Sequence, residues 1–83
     1  MNVRGTVIPM AALAAAKSYV ETSTGLFRAN EIEAKIVAAC KAVGALLDPE
    51  VSMRATDRFL QQERKKGTIT FRKGFWTRVK GTP

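Results

Sequence analysis

The stretch from Pro49 to Val79 reads PEVSMRATDRFLQQERKKGTITFRKGFWTRV, and its period changes partway along. The first part is helical. Asp48 is a capping residue, Pro49 suits the first turn, and Glu50 favours the positive end of the helix dipole. Val51, Ala55, Thr56, Phe59 and Leu60 recur on one side, with Met53 at the margin. The spacing predicts a helix from Pro49 to about Lys65, stopped by Gly67. Arg54, Arg58, Gln61 and Lys65 stand on the opposite side. At about 100° per residue they fall in a sector roughly 60° wide.

After Gly67 the pattern is β-like. Thr68–Phe71 and Phe75–Val79 flank Arg72-Lys73-Gly74, which predicts a hairpin. A three-residue loop puts Ile69, Phe71, Phe75, Thr77 and Val79 on one face. Thr70, Arg72, Trp76, Arg78 and Lys80 then take the other. A two-residue turn at Lys73-Gly74 instead pairs Phe71 with Trp76 and buries the indole. Gly81-Thr82-Pro83 reads as a tail.

Upstream, Asn30 with Glu33 has the spacing of a capping box. The helix it opens carries Ile32, Ile36, Ala39, Cys40 and Val43 on one stripe, with Gly44 as its stop. Cys40 reads as a small core residue. Leu26-Phe27-Arg28 is a short extended link, and Thr22–Gly25 is a break. A first helix runs from Pro9 to about Glu21, with Met10, Leu13, Ala16 and Val20 at helical spacing in an alanine-rich stretch. Residues 1–8 read equally as a flexible lead-in or a short edge strand. Arg4 and the alanines before Lys17 also resemble a short signal peptide, but an amphipathic helix explains the same residues.

The 83 residues make one small α+β domain, 46% apolar and 25% charged. Charge is divided sharply within it. Residues 1–50 carry five basic and five acidic groups, whereas residues 51–83 carry nine basic groups against Asp57 and Glu63, which is the whole net charge of +7. That cationic half points to a polyanionic partner, most commonly nucleic acid. One cysteine and no histidine exclude a disulfide framework, a cysteine-based zinc site and a histidine triad. No phosphate-binding glycine loop is present, and Asp57 and Glu63 read as ion-pair partners, so neither an enzyme nor a cofactor is expected. No apolar run is long enough to span a membrane, and a cytoplasmic location is expected.

In this order of helix, link, helix, helix and hairpin, the chain resembles the winged helix-turn-helix superfamily from Leu26 to Val79. The telling residues are Val51–Leu60, then Lys65-Lys66-Gly67-Thr68-Ile69, then Gly74-Phe75-Trp76. The family usually places a leucine four or five residues before that glycine, where Glu63 and Gln62 stand here. The resemblance implies a three-helix bundle with a C-terminal wing. It implies that Arg54, Arg58 and Gln61 read bases and that Lys65 and Lys66 touch phosphate. Arg72 and Lys73 would form the wing tip, Arg78 and Lys80 would extend that surface, and Trp76 would lie against a sugar or base. The expected role is a small DNA-binding transcriptional or replication regulator of phage, plasmid or bacterial type, dimeric through its first helix. The other readings are a protein-docking adaptor or inhibitor, with Leu26-Phe27 in its interface, and an RNA or ribosome binder. A solvated basic face and a packed tryptophan are the plain alternatives.

Overall fold

A computed structural model describes residues 2–23 and 26–79. Lys80 and the tail lie outside the described residues. The elements are β1 (Asn2–Val3), β2 (Thr6–Val7), α1 (Met10–Thr22), β3 (Leu26–Phe27), α2 (Ala29–Ala42), α3 (Pro49–Lys66), β4 (Ile69–Arg72) and β5 (Phe75–Arg78).

Helix α3 starts and stops where its end signals stand. The Asp48 carboxylate accepts from the Glu50 amide at 2.9 Å, a cap worth about 1 kcal/mol. Gly67 closes the helix in the left-handed region at φ 81°. Its buried side comprises Ser52, Ala55, Thr56, Phe59, Leu60 and Glu63.

Helix α1 buries Ala12, Ala16 and Val20, which lie in one i, i+4 row. Met10, expected in the core, is 85% exposed. It lies about 120° round the helix from the middle of that row. The small buried alanines let α1 pack closely on Ile32, Ile36 and Cys40 of α2, so they are engaged within the chain. Burial pushes the Cys40 thiol pKa up, as befits a core residue. Val43 is largely exposed, outside the stripe expected for it.

Helix α2 begins before the expected Asn30 cap. Pairing of β3 holds the chain extended through Phe27, and Arg28 remains extended at φ −109°, so the helix starts at Ala29. Glu31 becomes the third helical residue, and its carboxylate accepts from the Arg28 amide at 2.6 Å. Tyr19 Oη donates to the same carboxylate at 2.8 Å, joining α1 to α2. Glu33, freed from capping, accepts from Ser52 Oγ at 2.6 Å and joins α2 to α3.

The C-terminal strands form a sheet in the order β3-β5-β4, all antiparallel. Arg72 pairs with Phe75 and Phe71 with Trp76, so the turn has two residues, Lys73 and Gly74. Both have positive φ, 49° and 84°, as the favoured tight hairpin turn requires. The three-residue loop and its face assignment are thereby corrected. Ile69, Phe71, Trp76 and Arg78 share the inner face, while Thr70, Arg72, Phe75 and Thr77 share the outer one. Residues 2–7 form a second hairpin, turning at Arg4-Gly5 with φ 51° and 81°. Three helices and a wing whose last strand returns to pair with the strand between α1 and α2 make a winged-helix layout.

The Arg28 amide, and then Tyr19, hold the Glu31 carboxyl below its ordinary value of 4.5. A lowered folded-state value means stability that is present above pH 4.5 and lost as pH falls through the folded value. Urea midpoints measured from pH 6 to pH 2.5 will show that loss, and Glu31→Gln will flatten this part of the acid limb.

Candidate nucleic-acid interface

The site is built from α3 outward. Arg54, Arg58, Gln61 and Lys65 are all exposed and follow one row along the helix. Core packing at Ala55, Phe59 and Leu60 fixes that rotation, because turning the row inward would expose the phenyl ring.

Several cations in the region already have partners. Arg54 Nε lies 3.6 Å from Glu50 Oε1, with both side chains more than half exposed. Such a pair is worth about 0–1 kcal/mol. Arg58 donates to the main-chain carbonyl of Asn2, which leaves its charge uncancelled. Lys66 Nζ stands 3.2 Å from the Glu63 carboxylate, whose side chain is 6% exposed. Glu63 occupies the place where a leucine was expected, and Thr68 Oγ1 donates to its carboxylate at 3.2 Å and to its carbonyl at 3.0 Å. Removing Lys66 would leave a buried carboxylate short of its counter-charge, so this lysine serves the junction between helix and wing.

The wing tip presents Arg72 and Lys73, both exposed. Two residues, Gly67 and Thr68, separate α3 from β4, so the tip stands about 13 Å, one four-residue strand, beyond that junction. Arg72 lies beside an open depression formed with Leu26, Lys73 and Phe75. The Arg28 guanidinium lies over the Phe75 ring, 4.7 Å from its centroid, adding a cation that no basic run in the sequence marks. Arg78 is on the inner face and donates to the Glu21 carbonyl at the end of α1. It is turned toward the helix end and does not extend the tip.

Trp76 is not a surface residue. It is 7% exposed, within the core, with the Phe71 ring 4.9 Å away between centroids. A buried indole offers no face to a base or sugar, and the stacking role assigned to it is withdrawn.

The N-terminal hairpin was not legible as part of this site. Val3 and Ile8 are buried, and the turn residue Arg4 pairs with Glu50 on α3. Forty-six positions separate those two residues, so no local pattern joins them. Among the described residues, no group of three or more His, Cys, Asp or Glu side chains could hold a metal ion, and no helix is long and apolar enough to cross a membrane. Comparison with protein-family models, curated proteins and solved structures finds no match.

Trp76 is the only tryptophan. Its emission will be that of a buried indole, blue-shifted and poorly quenched by acrylamide. Adding nucleic acid will leave the spectrum in place. Trp76→Ala will cost about 3–5 kcal/mol in urea unfolding, whereas Trp76→Phe will retain whatever nucleic-acid affinity the parent has.

Proposed function

We propose that this protein binds double-stranded DNA, with α3 in the major groove and the wing on the phosphate backbone, as a small regulator of transcription or replication. The observation that carries the reading is the exposed row Arg54, Arg58, Gln61 and Lys65 on the third helix, followed directly by a wing tipped with Arg72 and Lys73. The roles follow from side-chain chemistry. An arginine can donate two bonds to guanine O6 and N7, and a glutamine can engage adenine N6 and N7. Lys65, Arg72 and Lys73 supply attraction to phosphate that is independent of sequence.

A second reading, docking on a protein, draws on the sheet's outer face. Leu26 is 62% exposed there, beside the half-buried Phe75. The RNA reading rested on an exposed Trp76 and loses that support.

Fluorescence anisotropy with a labelled random duplex, repeated across salt concentrations, tests the proposal. On a random duplex, where no base is read, Arg54, Arg58, Lys65, Arg72 and Lys73 all meet phosphate, and these five cations give a slope of log affinity against log salt of roughly −4 to −5. Once a preferred site has been selected from a random pool, Arg54→Ala and Gln61→Ala will each cost about 1–3 kcal/mol on it. Gln61→Ala will leave the salt slope unchanged, because a neutral side chain releases no counterion. No binding at 50 mM salt would reject the proposal and favour the protein-docking reading.

A further inference from the structure

We infer that the N-terminal hairpin is a second basic arm of the same interface. In this arrangement, on duplex of arbitrary sequence where no base is read, Arg4, Arg54 and Arg58 together hold a backbone phosphodiester that takes the place of the Glu50 carboxylate. The inference rests on the nucleic-acid reading above and goes beyond it in naming an arm, a phosphate site and an internal counterion.

Three observations converge. The first is placement. β1 packs on α3, with Val3 1% exposed, and Arg58 is bonded to the Asn2 carbonyl, so the hairpin is fixed to the basic helix. The second is chemistry at the turn. Arg4-Gly5 repeats the tip of the wing, Lys73-Gly74, with a cation and a glycine both at positive φ in a two-residue turn. The Asn2 side chain accepts from the Gly5 amide at 3.1 Å and stiffens the loop. Both hairpins thus carry an exposed basic side chain at the tip of a tight two-residue turn.

The third is the charge pattern between arm and helix. Arg4, Arg54 and Arg58 line one open depression together with Glu50 and Asp57. Glu50 pairs with both Arg4 and Arg54, and all three side chains are more than half exposed. An anion held by exposed ion pairs is held weakly and exchanges readily. A phosphodiester carries the same single charge and offers similar oxygen acceptors, and guanidinium groups bind it in the same forked geometry. In the free protein one oxygen of Glu50, Oε1, bridges the two arginines. When nucleic acid binds, Glu50 swings into solvent and phosphate oxygens take the guanidinium bonds.

Random-duplex anisotropy at about 100 mM salt tests this, with Arg4→Ala, Arg4→Lys, Glu50→Gln and Glu21→Gln beside the parent. Glu21 is exposed at the far end of α1, so its variant makes the same change in net charge away from the depression. Glu50→Gln will tighten binding about threefold to tenfold, and Glu21→Gln by clearly less. Arg4→Ala will weaken binding by a similar factor and make the salt slope shallower by about one, and Arg4→Lys will restore most of both. A gain on Glu50→Gln cannot come from unfolding, so the test survives a poorly folded Arg4 variant. Equal gains at Glu50 and Glu21, or an unchanged Arg4→Ala slope with parent binding intact, would overturn this inference and leave the DNA reading standing. A parent that binds no duplex at low salt would overturn both.

Discussion

Strand β5 is held on both sides, and the direction of everything after α3 depends on that pairing. Trp76 faces Phe71 across one ladder and Phe27 across the other, so its side chain sits at the centre of the inner face of the sheet. A two-stranded hairpin alone is marginal in water. Attachment to β3, together with the buried indole, ties this hairpin to the helical core. Aromatic neighbours at this spacing add about 0.5–1.5 kcal/mol beyond the area they bury. The wing is thereby a fixed extension of α3, and its tip charges have a defined position relative to the helix row.

The three helices were legible because each has a strong local pattern. Asp48, Pro49 and Gly67 marked α3 almost to the residue, and the positions of Ala55, Phe59 and Leu60 fixed which side would face solvent. The register of the wing was not legible to the same degree. Phe71-Arg72-Lys73-Gly74-Phe75-Trp76 admits a two- or a three-residue turn, and one step exchanges every side chain between faces. Burial of the indole decided it, and that is a tertiary gain no local pattern expresses. The cap of α2 failed as a local reading for a similar reason. Asn30 and Glu33 have the right spacing, but pairing of β3 with β5 set where the extended chain ended. The N-terminal hairpin was left open because two-residue strands carry almost no periodicity, and its hold on α3 is long-range.

The candidate site was legible as a set of charges but not as a set of available charges. The sequence placed all +7 in the second half of the chain. The fold then divides those cations by what they touch. Lys66 answers the buried Glu63, and Arg78 reaches the end of α1. Arg54 shares Glu50 with Arg4. Lys65, Arg72 and Lys73 point outward from the α3 end and the wing tip. Lys65 and Lys66 are neighbours of the same type, yet only Lys66 has the junction carboxylate within reach, so composition alone gives them equal weight where structure does not.

The kind of acceptor matters as much as the presence of one. Arg58 and Arg78 both donate to main-chain carbonyls, which hold a guanidinium in place without neutralising it. A carboxylate partner holds it equally well but cancels most of its field at a distance. Fixing a long side chain in the free protein reduces the entropy lost when a ligand orders it. A carbonyl-bonded arginine therefore keeps its long-range attraction and has less ordering left to undergo. On α3 this separates Arg58 from Arg54, four residues away on the same row. Arg58 is ready for an anion as it stands, whereas Arg54 must first exchange the Glu50 carboxylate.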